Sequence, residues 1–254
     1  MEMIRLKDIS FSYNSNLVIA GISHDFIHGS FTAVMGPNGS GKTTLIRLMN
    51  RILLPSKGSI NFNDKPLKKI KRDVLARQMA YVPQQQSNVF PASVFDTVLL
   101  GRKPYIQWSP GKKDRESTSS VLVKLGLEDI AFKDINRLSS GQRQRVFIAR
   151  ALAQEPDIIL LDEPTANLDL QHQHEVMALL QQLSSTGITI IIAIHDLNLA
   201  LKYCSDFMLL SEGILVASGK KQMLDRDLIE TIYKVKVRLV KEDGETFIIP
   251  IKPV

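Results

Sequence analysis

The chain has 254 residues, of which 44% are hydrophobic and 23% charged, and its formal net charge is +6. These values exclude wholesale disorder and leave room for one large domain or two small ones with a proper core. The net positive charge is compatible with binding to nucleic acid, a nucleotide or an anionic membrane surface, and it does not distinguish between these partners. The single cysteine, Cys204, excludes an internal disulfide and fits a reducing compartment. Neither a signal peptide nor an apolar run long enough to span a bilayer is recognisable, so we expect a soluble chain.

The first part of the chain predicts strands, a glycine-rich loop and a helix. Residues 3–35 favour strands, because IRLKDISFSY alternates and FTAVM is a short run of the buried type. After the loop, KTTLIRLMNRIL predicts a helix over 42–53, which the breaker LPSKG ends. GSINFND favours a further strand, and the basic stretch KPLKKIKR is expected to be a solvated face.

The loop GPNGSGKT, residues 36–43, matches the pattern G-x-x-x-x-G-K-[ST] between a predicted strand and a predicted helix. Glycines let successive backbone N–H groups turn inward around phosphate oxygens, and the helix start adds positive partial charge. Lys42 would reach the β and γ phosphates, and the Thr43 hydroxyl would ligate Mg²⁺. A turn that matches by chance is the alternative. The predicted nucleotide-binding residues here are Gly36, Pro37, Asn38, Gly39, Ser40, Gly41, Lys42, Thr43 and Thr44.

Residues 87–153 have a different character, because they contain no strong strand runs and favour helices broken by KPYIQWSPGKK. Within them, LSSGQRQR contains no general base, no metal-ligand pair and no cysteine. Ser139, Ser140 and Gly141 stand where a helix is predicted to begin. A helix start with small residues can bind an anion, which is the hypothesis for this stretch.

Two later apolar runs, IILLD and ITIIIAI, predict strands that are covered on both faces, and the alternation with amphipathic helices predicts a parallel α/β sheet. Asp162 at the end of the first run can hold Mg²⁺, usually through water, and we expect this strand to lie beside the phosphate loop. Glu163 could polarise an attacking water. His195, after the second run, could contact a γ-phosphate and orient the water. The alternatives are an ordinary turn for the carboxylates and a capping or packing role for the histidine.

The C-terminal part predicts a β-hairpin, because VKVRLVKEDGETFIIPI can turn at Asp243 and Gly244. Two histidines, His172 and His174, stand two residues apart on a predicted helix and therefore point to different faces. We interpret them as a solvated helix start rather than as metal ligands. Cys204 is interpreted as a small buried hydrophobe.

Together, the phosphate loop, LSSGQ, LLDEP and IIAIHD resemble the motifs of the nucleotide-binding subunits of ABC transporters, and the resemblance covers nearly all of the chain. LSSGQ resembles the signature usually written LSGGQ; Ser140 departs from it, yet keeps the backbone N–H. Gln84 in AYVPQQ resembles the Q-loop glutamine, and TANLD at 165–169 resembles the D-loop. Tyr13 resembles the aromatic residue that stacks on adenine, with local strand packing as the alternative.

The resemblance implies an α/β fold, a P-loop NTPase ABC cassette formed by residues 1–254 as a single ATPase domain. Its expected parts are a RecA-like core with an antiparallel β subdomain, at 1–86 and 154–220, and a helical signature subdomain at 87–153. A C-terminal extension with a β-hairpin would follow at 221–254.

The resemblance also implies ATP hydrolysis with Mg²⁺, in which two copies pack head to tail. Each ATP would lie between the phosphate loop of one copy and LSSGQ of the other. The implied catalytic residues are Lys42, Gln84, Glu163 and His195. The implied metal ligands are Thr43, Gln84 and Asp162. The further nucleotide contacts implied are Tyr13, Gln84, Ser139, Ser140, Gly141, Gln142, Asp169 and His195.

Two classes of ABC protein compete: a transporter motor, and a soluble ATPase that acts on nucleic acid or ribosomes. The stretch between Gln84 and Leu138 has room for a small helical subdomain but not for a long coiled coil. No basic stripe interleaved with aromatic residues indicates nucleic acid. We therefore predict a transporter motor without a nucleic-acid partner. The chain carries no membrane span and no TEVGE-like stretch before LSSGQ, which favours an importer with separate permease subunits.

Within importers, GRKPYIQWSPGKKDRE and LDLQHQ resemble segments of the branch that imports siderophores, haem and cobalamin. The implied cargo is an iron(III) chelate, haem or a corrinoid. The implied partners are a second copy, integral-membrane permease subunits and, indirectly, an extracytoplasmic substrate-binding protein. The implied location is the cytoplasmic face of the cell membrane, with the surface at 84–105 against the permease.

Overall fold

The computed structural model describes residues 2–84 and 91–254. The strands are β1 Glu2–Tyr13, β2 Asn16–Ile27, β3 Phe31–Met35, β4 Lys57–Phe62, β5 Lys65–Pro66, β6 Met79–Val82, β7 Ile158–Asp162, β8 Thr189–Ala193, β9 Asp206–Ser211, β10 Ile214–Lys220, β11 Val235–Glu242 and β12 Glu245–Pro253. The helices are α1 Lys42–Met49, α2 Arg72–Gln78, α3 Val94–Leu99, α4 Lys112–Lys124, α5 Ser140–Ala153, α6 Leu170–Ser185, α7 Leu197–Tyr203 and α8 Arg226–Tyr233. Within the described ranges, no helix is long and apolar enough to cross a membrane.

The chain divides into two compact units, the first made of Met1–Lys69 and Leu180–Val254 and the second of Ile70–Leu179. In the first unit, β2, β1, β4 and β5 form an antiparallel sheet in that order. Strand β3 pairs in parallel with both β8 and β9, and β10 pairs antiparallel with β9. All residues of β3 and β8 are buried, as their continuous apolar sequences predict.

In the second unit, β6 and β7 form a parallel pair, with Met79 opposite Ile158. Between these two strands, the residues that the structure describes form helices and turns but no strand. This confirms the predicted helical character for 91–153. Residues 85–90 of the predicted permease-contacting surface lie outside the described residues.

The arginine of the GRKPY stretch, Arg102, is buried and has a structural role. Arg102 is only 1% exposed. Its Nη1 donates to the Ala153 carbonyl at 2.9 Å and contacts Glu155 Oε1 at 2.8 Å. Its Nε contacts Asp114 Oδ1 at 3.3 Å, and its guanidinium lies 4.0 Å from the centre of the Tyr105 ring. Two carboxylates and a carbonyl therefore compensate the buried charge and join the end of α5 to α4.

The predicted helix over 42–53 is wrong at its C-terminus, because α1 ends at Met49. Arg51 has a left-handed backbone with φ 55°. The Ile52 amide donates to the Arg47 carbonyl at 3.0 Å. This hydrogen bond and the left-handed residue form a Schellman motif, in which the left-handed residue is usually glycine. Because arginine stands there in this chain, the sequence contains no signal for the end of the helix.

The predicted C-terminal hairpin is confirmed, because β11 and β12 pair antiparallel. Its turn residues Asp243 and Gly244 have φ values of 50° and 79°. The hairpin is fixed to α7 by Asn198, whose Nδ2 donates to the Ile248 carbonyl at 3.1 Å while its Oδ1 accepts from the Ile248 amide at 2.8 Å. One side chain therefore replaces two backbone partners on strand β12.

Candidate nucleotide-binding and hydrolysis site

The phosphate loop joins β3 to α1 in the first unit, and its glycines give it a backbone that other residues rarely adopt. Gly36, Gly39 and Gly41 have φ values of 147°, 80° and 99°. A Cβ added to Gly36 would lie 2.1 Å from the Leu210 carbonyl oxygen, which leaves no room for a side chain. Successive N–H groups in such a loop can form a concave anion site.

The side chains of the loop also fit phosphate. Lys42 is 5% exposed, and its Nζ donates to the carbonyls of Gly36 and Pro37 at 2.8 and 3.0 Å. Ser40 is 3% exposed, and its buried Oγ has no hydrogen-bond partner among the described residues. Thr43, half-buried, follows Lys42 in the first turn of α1. A buried ammonium and an unsatisfied hydroxyl beside the helix start suit a ligand that is rich in anionic oxygens.

Two further predicted residues of the first unit lie at strand ends. Tyr13 is the last residue of β1 and is 40% exposed. Its ring packs edge-on against Phe11, with the ring centres 4.8 Å apart. His195 is exposed after β8, and the next residue, Asp196, caps α7 by accepting from the Leu199 amide at 3.0 Å. The Tyr13 ring both packs on Phe11 and is partly exposed, which fits local strand packing as well as a contact with adenine. Its contact with adenine therefore stays a prediction.

The C-terminal helix α8 lies beside the phosphate loop, which the sequence did not predict. Tyr233, the last residue of α8, is half-buried, with its hydroxyl beside the backbone of Gly36, and burial raises the pKa of this hydroxyl. An open cleft of about 550 Å³ is lined by 37–40 of the phosphate loop, the turn after β9, and α8. The end of α8 therefore lies beside the phosphate loop, with an open cleft next to it.

In the second unit, the structure brings Gln84 and Glu163 together. Asp162, the last residue of β7, is 1% exposed. Glu163 has a φ of 47°, a left-handed conformation that is uncommon for a residue with a side chain. Its Oε2 accepts from Gln84 Nε2 at 2.7 Å. The two residues predicted for hydrolysis thus share a direct hydrogen bond.

The signature stretch forms a capped helix start, as predicted. The Ser139 Oγ accepts from the Gln142 amide at 3.2 Å, and the Gln142 Oε1 accepts from the Ser139 amide at 3.3 Å. Ser139 and Ser140 are exposed, and the first turn of α5 contains no acidic residue. This end of a 14-residue helix can therefore receive an anion.

The D-loop aspartate is bonded to a histidine that sequence reasoning missed. The Oδ1 of Asp169 accepts from the His172 amide at 2.9 Å and lies 2.6 Å from His172 Nδ1. These hydrogen bonds hold the pKa of Asp169 below its usual range. The His172 ring packs on Gly141. The interpretation of His172 as part of a solvated helix start is therefore wrong. The sequence does contain a signal for its contact with Asp169, because an aspartate stands three residues before the histidine at the helix start.

The predicted site residues are distributed over the two units. The first unit holds the phosphate loop, Tyr13 and His195. The second holds Gln84, Asp162, Glu163, the signature and the D-loop. The residues predicted for phosphate binding and those predicted for proton abstraction therefore lie in different units.

A family model described as ABC transporter matches residues 19–166. The chain belongs to the ABC transporter family. It is 40% identical over 252 residues to an ABC transporter ATP-binding protein of Methanocaldococcus jannaschii, with 99% of each chain covered. It is 35% identical over 242 residues to the petrobactin import ATP-binding protein FpuD of Bacillus anthracis, which covers 94% of this chain and 89% of that protein. Among solved structures, a metal-chelate type ABC transporter in an inward-facing conformation matches with a TM-score of 0.87 and 29% identity, over 98% of this chain and 97% of the other.

Membership of the ABC transporter family confirms the predicted fold class, a P-loop NTPase ABC cassette. The relative named for petrobactin import and the metal-chelate type structure confirm the resemblance to the metal-chelate importer branch. This ABC protein is an ATPase coupled to transport.

Proposed function

We propose that this ABC ATPase drives the uptake of a metal chelate, an iron–siderophore complex, haem or cobalamin, through separate permease subunits. The observation that carries the proposal is the end-to-end likeness to a metal-chelate type transporter, which covers 98% of the chain at a TM-score of 0.87. The relative named for petrobactin import supports the same cargo class. The chain would lie at the cytoplasmic face of the membrane, and a binding protein on the other side would deliver the chelate.

The phosphate loop is the proposed binding site for the ATP phosphates. Its backbone N–H groups and the Ser40 hydroxyl donate to phosphate oxygens, and Lys42 places a full positive charge against the β and γ phosphates. Charge-assisted hydrogen bonds are strong, and the Lys42 side chain that would make them is buried. Tyr13 stacks on the adenine ring with the part of its ring that Phe11 leaves open.

Thr43, Asp162 and Gln84 would hold Mg²⁺, a cation that prefers the oxygen donors these residues carry. When bound, Mg²⁺ neutralises charge on the phosphates. Glu163 would accept the proton of the attacking water, and His195 would contact the γ-phosphate and orient that water. Gln84 donates from Nε2 to one oxygen of Glu163. Its carbonyl oxygen, on the other arm of the amide, stays available for the metal.

The signature helix would complete the site of a second copy. The exposed start of α5, with Ser139 and Ser140, binds the γ-phosphate held by the partner, and Gln142 and Asp169 lie on the same side of the contact. A two-fold arrangement lets each surface meet its complement. ADP has no bridging γ-phosphate, so hydrolysis opens the dimer, and this motion drives the permease.

Uptake in cells tests the proposal. A strain without this gene would be supplied with the wild-type chain, with Glu163→Gln or with Glu128→Gln, which changes an exposed carboxylate outside the site. Radiolabelled iron–siderophore, haem and cobalamin are offered in separate arms. We expect one of these chelates to accumulate with the wild type and Glu128→Gln, but not with Glu163→Gln. Uptake of all three that does not depend on the gene would contradict metal-chelate import.

A further inference from the structure

Gly141, in the signature and the first turn of α5, is in close contact with His172, in the first turn of α6 after the D-loop. A Cβ added to Gly141 would lie 2.0 Å from His172 Cδ2 and 2.5 Å from Cγ, closer than real Cβ atoms come to any neighbour. Gly141 is helical and does not have a positive φ. Glycine is therefore needed at this position for the space that it leaves to the imidazole, not for its backbone freedom.

The other side of the imidazole is held by the D-loop. His172 Nδ1 lies 2.6 Å from Asp169 Oδ1, and the His172 amide donates to the same oxygen at 2.9 Å. A carboxylate only accepts, so Nδ1 carries a proton and the ring orientation is fixed. The ring thus fills the space between the Asp169 carboxylate and the signature glycine.

A second contact joins the same two helices one turn further along. Arg145 Nη2 lies 2.7 Å from Glu175 Oε2, and Glu175 Oε1 accepts from Gln171 Nε2 at 2.8 Å. Both charged side chains are 33% exposed, so water screens the pair and long side chains tolerate movement. The close contact of His172 with Gly141 is therefore the one that sets the distance between the two helix starts.

We propose that His172 is a positioning residue for ATP hydrolysis, because it holds the signature end of α5 and the Asp169 loop as one body. The inference rests on the proposed head-to-tail dimer, in which both elements face the partner's nucleotide. The ring determines where the exposed residues Ser139 and Ser140 stand. A displacement of about 1 Å in a reacting geometry can lower a rate by roughly 100-fold.

Steady-state ATP hydrolysis by the complex of this chain with its permease tests the proposal. We expect His172→Ala to lower kcat at least roughly tenfold with little change in KM, because the phosphate loop is untouched. His172→Asn keeps a donor for Asp169, and His172→Phe keeps a ring on Gly141, so each should restore part of kcat. His174→Ala, on the same helix but another face, is the matched control and should keep the wild-type kcat.

A double-mutant cycle asks whether His172 acts through Gly141. Gly141→Ala places a methyl group against the ring, whereas the same change in His172→Ala no longer meets the imidazole. Gly141→Ala should therefore lower kcat by a larger factor in the wild-type background than in His172→Ala. Equal factors in both backgrounds would overturn the inference.

The outcomes separate this inference from the function on which it rests. An active wild-type complex in which His172→Ala, with unchanged thermal stability, keeps the full kcat would overturn the inference alone. If His172→Ala does not fold, wild-type kcat in both His172→Asn and His172→Phe would overturn it. A wild-type complex without ATPase activity would overturn the proposed function and the inference together.

Discussion

Gln84 donates a hydrogen bond from Nε2 to Oε2 of Glu163 at 2.7 Å, although the two residues are 79 positions apart in the chain. The bond orients the carboxylate that we propose as the general base. It also ties that carboxylate to the first residue of the predicted permease-contacting surface at 84–105. A movement of Gln84 would therefore change the environment of Glu163 directly.

Glu163→Gln should keep ATP binding and abolish hydrolysis, because the amide has the shape of the carboxylate but cannot accept the proton of water. We expect the rate of phosphate release to fall at least roughly 100-fold, within the range that general bases contribute. Binding is measured with a fluorescent ATP analogue. Glu128→Gln is the control for loss of one negative charge. A Glu163→Gln chain with wild-type turnover would remove Glu163 from the catalytic residues.

Lys42→Ala should weaken ATP binding at least tenfold, because hydrogen bonds to charged groups contribute about 1.5–3 kcal/mol. Titration calorimetry with ATP measures the loss, and thermal unfolding checks that the loop still folds without the bonds from Nζ to Gly36 and Pro37. Lys57→Ala, at an exposed lysine of β4, is the matched control. Unchanged affinity in a folded Lys42→Ala chain would refute the phosphate-loop assignment.

Glu230 predicts a pH dependence of stability. Its carboxylate accepts from Lys236 Nζ, the Val237 amide and Arg226 Nε, and these bonds lower its pKa to about 2. Because the folded pKa is depressed, the stabilisation is complete above the unfolded pKa of about 4.3 and is lost as pH falls toward 2. The difference in melting temperature between wild type and Glu230→Gln should therefore shrink as pH is lowered from 7 to 3. Glu242→Gln, on the hairpin, is the control; a difference that is constant over this window would contradict the prediction.

The sequence predicts those structural features that are determined by residues close together in the chain. The phosphate loop follows from the glycine spacing in GPNGSGKT, and the buried strands β3, β7 and β8 follow from continuous apolar runs. The start of α5 follows from Ser139, a strong N-cap residue with a glutamine three positions later. Each of these signals lies within a few residues, where steric and hydrogen-bonding preferences act directly.

Features that depend on tertiary contacts were not predictable in the same way. The end of α1 was misplaced because Arg51 adopts a left-handed backbone that arginine rarely adopts. The packing of His172 on Gly141 depends on how α5 and α6 pack together. The position of His172 within its own helix does not indicate this contact. Tyr233 beside Gly36 is a long-range contact of the same kind.

The predicted permease-contacting surface can be tested by crosslinking. Ser87 lies outside the described residues, and Ser93 caps α3, so a cysteine at Ser93 would remove a cap. Leu100 is 55% exposed on this surface, and Leu100→Cys should crosslink to a permease subunit in the assembled complex. Cys204 should not interfere, because it is buried and its pKa is raised by that burial. Val123→Cys, 62% exposed on α4, is the control, and equal yields from both positions would contradict the assignment.

Light scattering can show whether the signature helix binds ATP held by a second copy, as we propose. Glu163→Gln is sized in Mg-ATP and in Mg-ADP, alone and combined with Ser139→Arg or, as a control for added charge, with Ser119→Arg on the exposed side of α4. We predict a dimer in ATP but not in ADP, which Ser139→Arg abolishes and Ser119→Arg preserves. The reason is steric, because an arginine at Ser139 would occupy the place where backbone and hydroxyl approach phosphate. A dimer that forms equally well in ADP, or that persists after Ser139→Arg, would contradict the account.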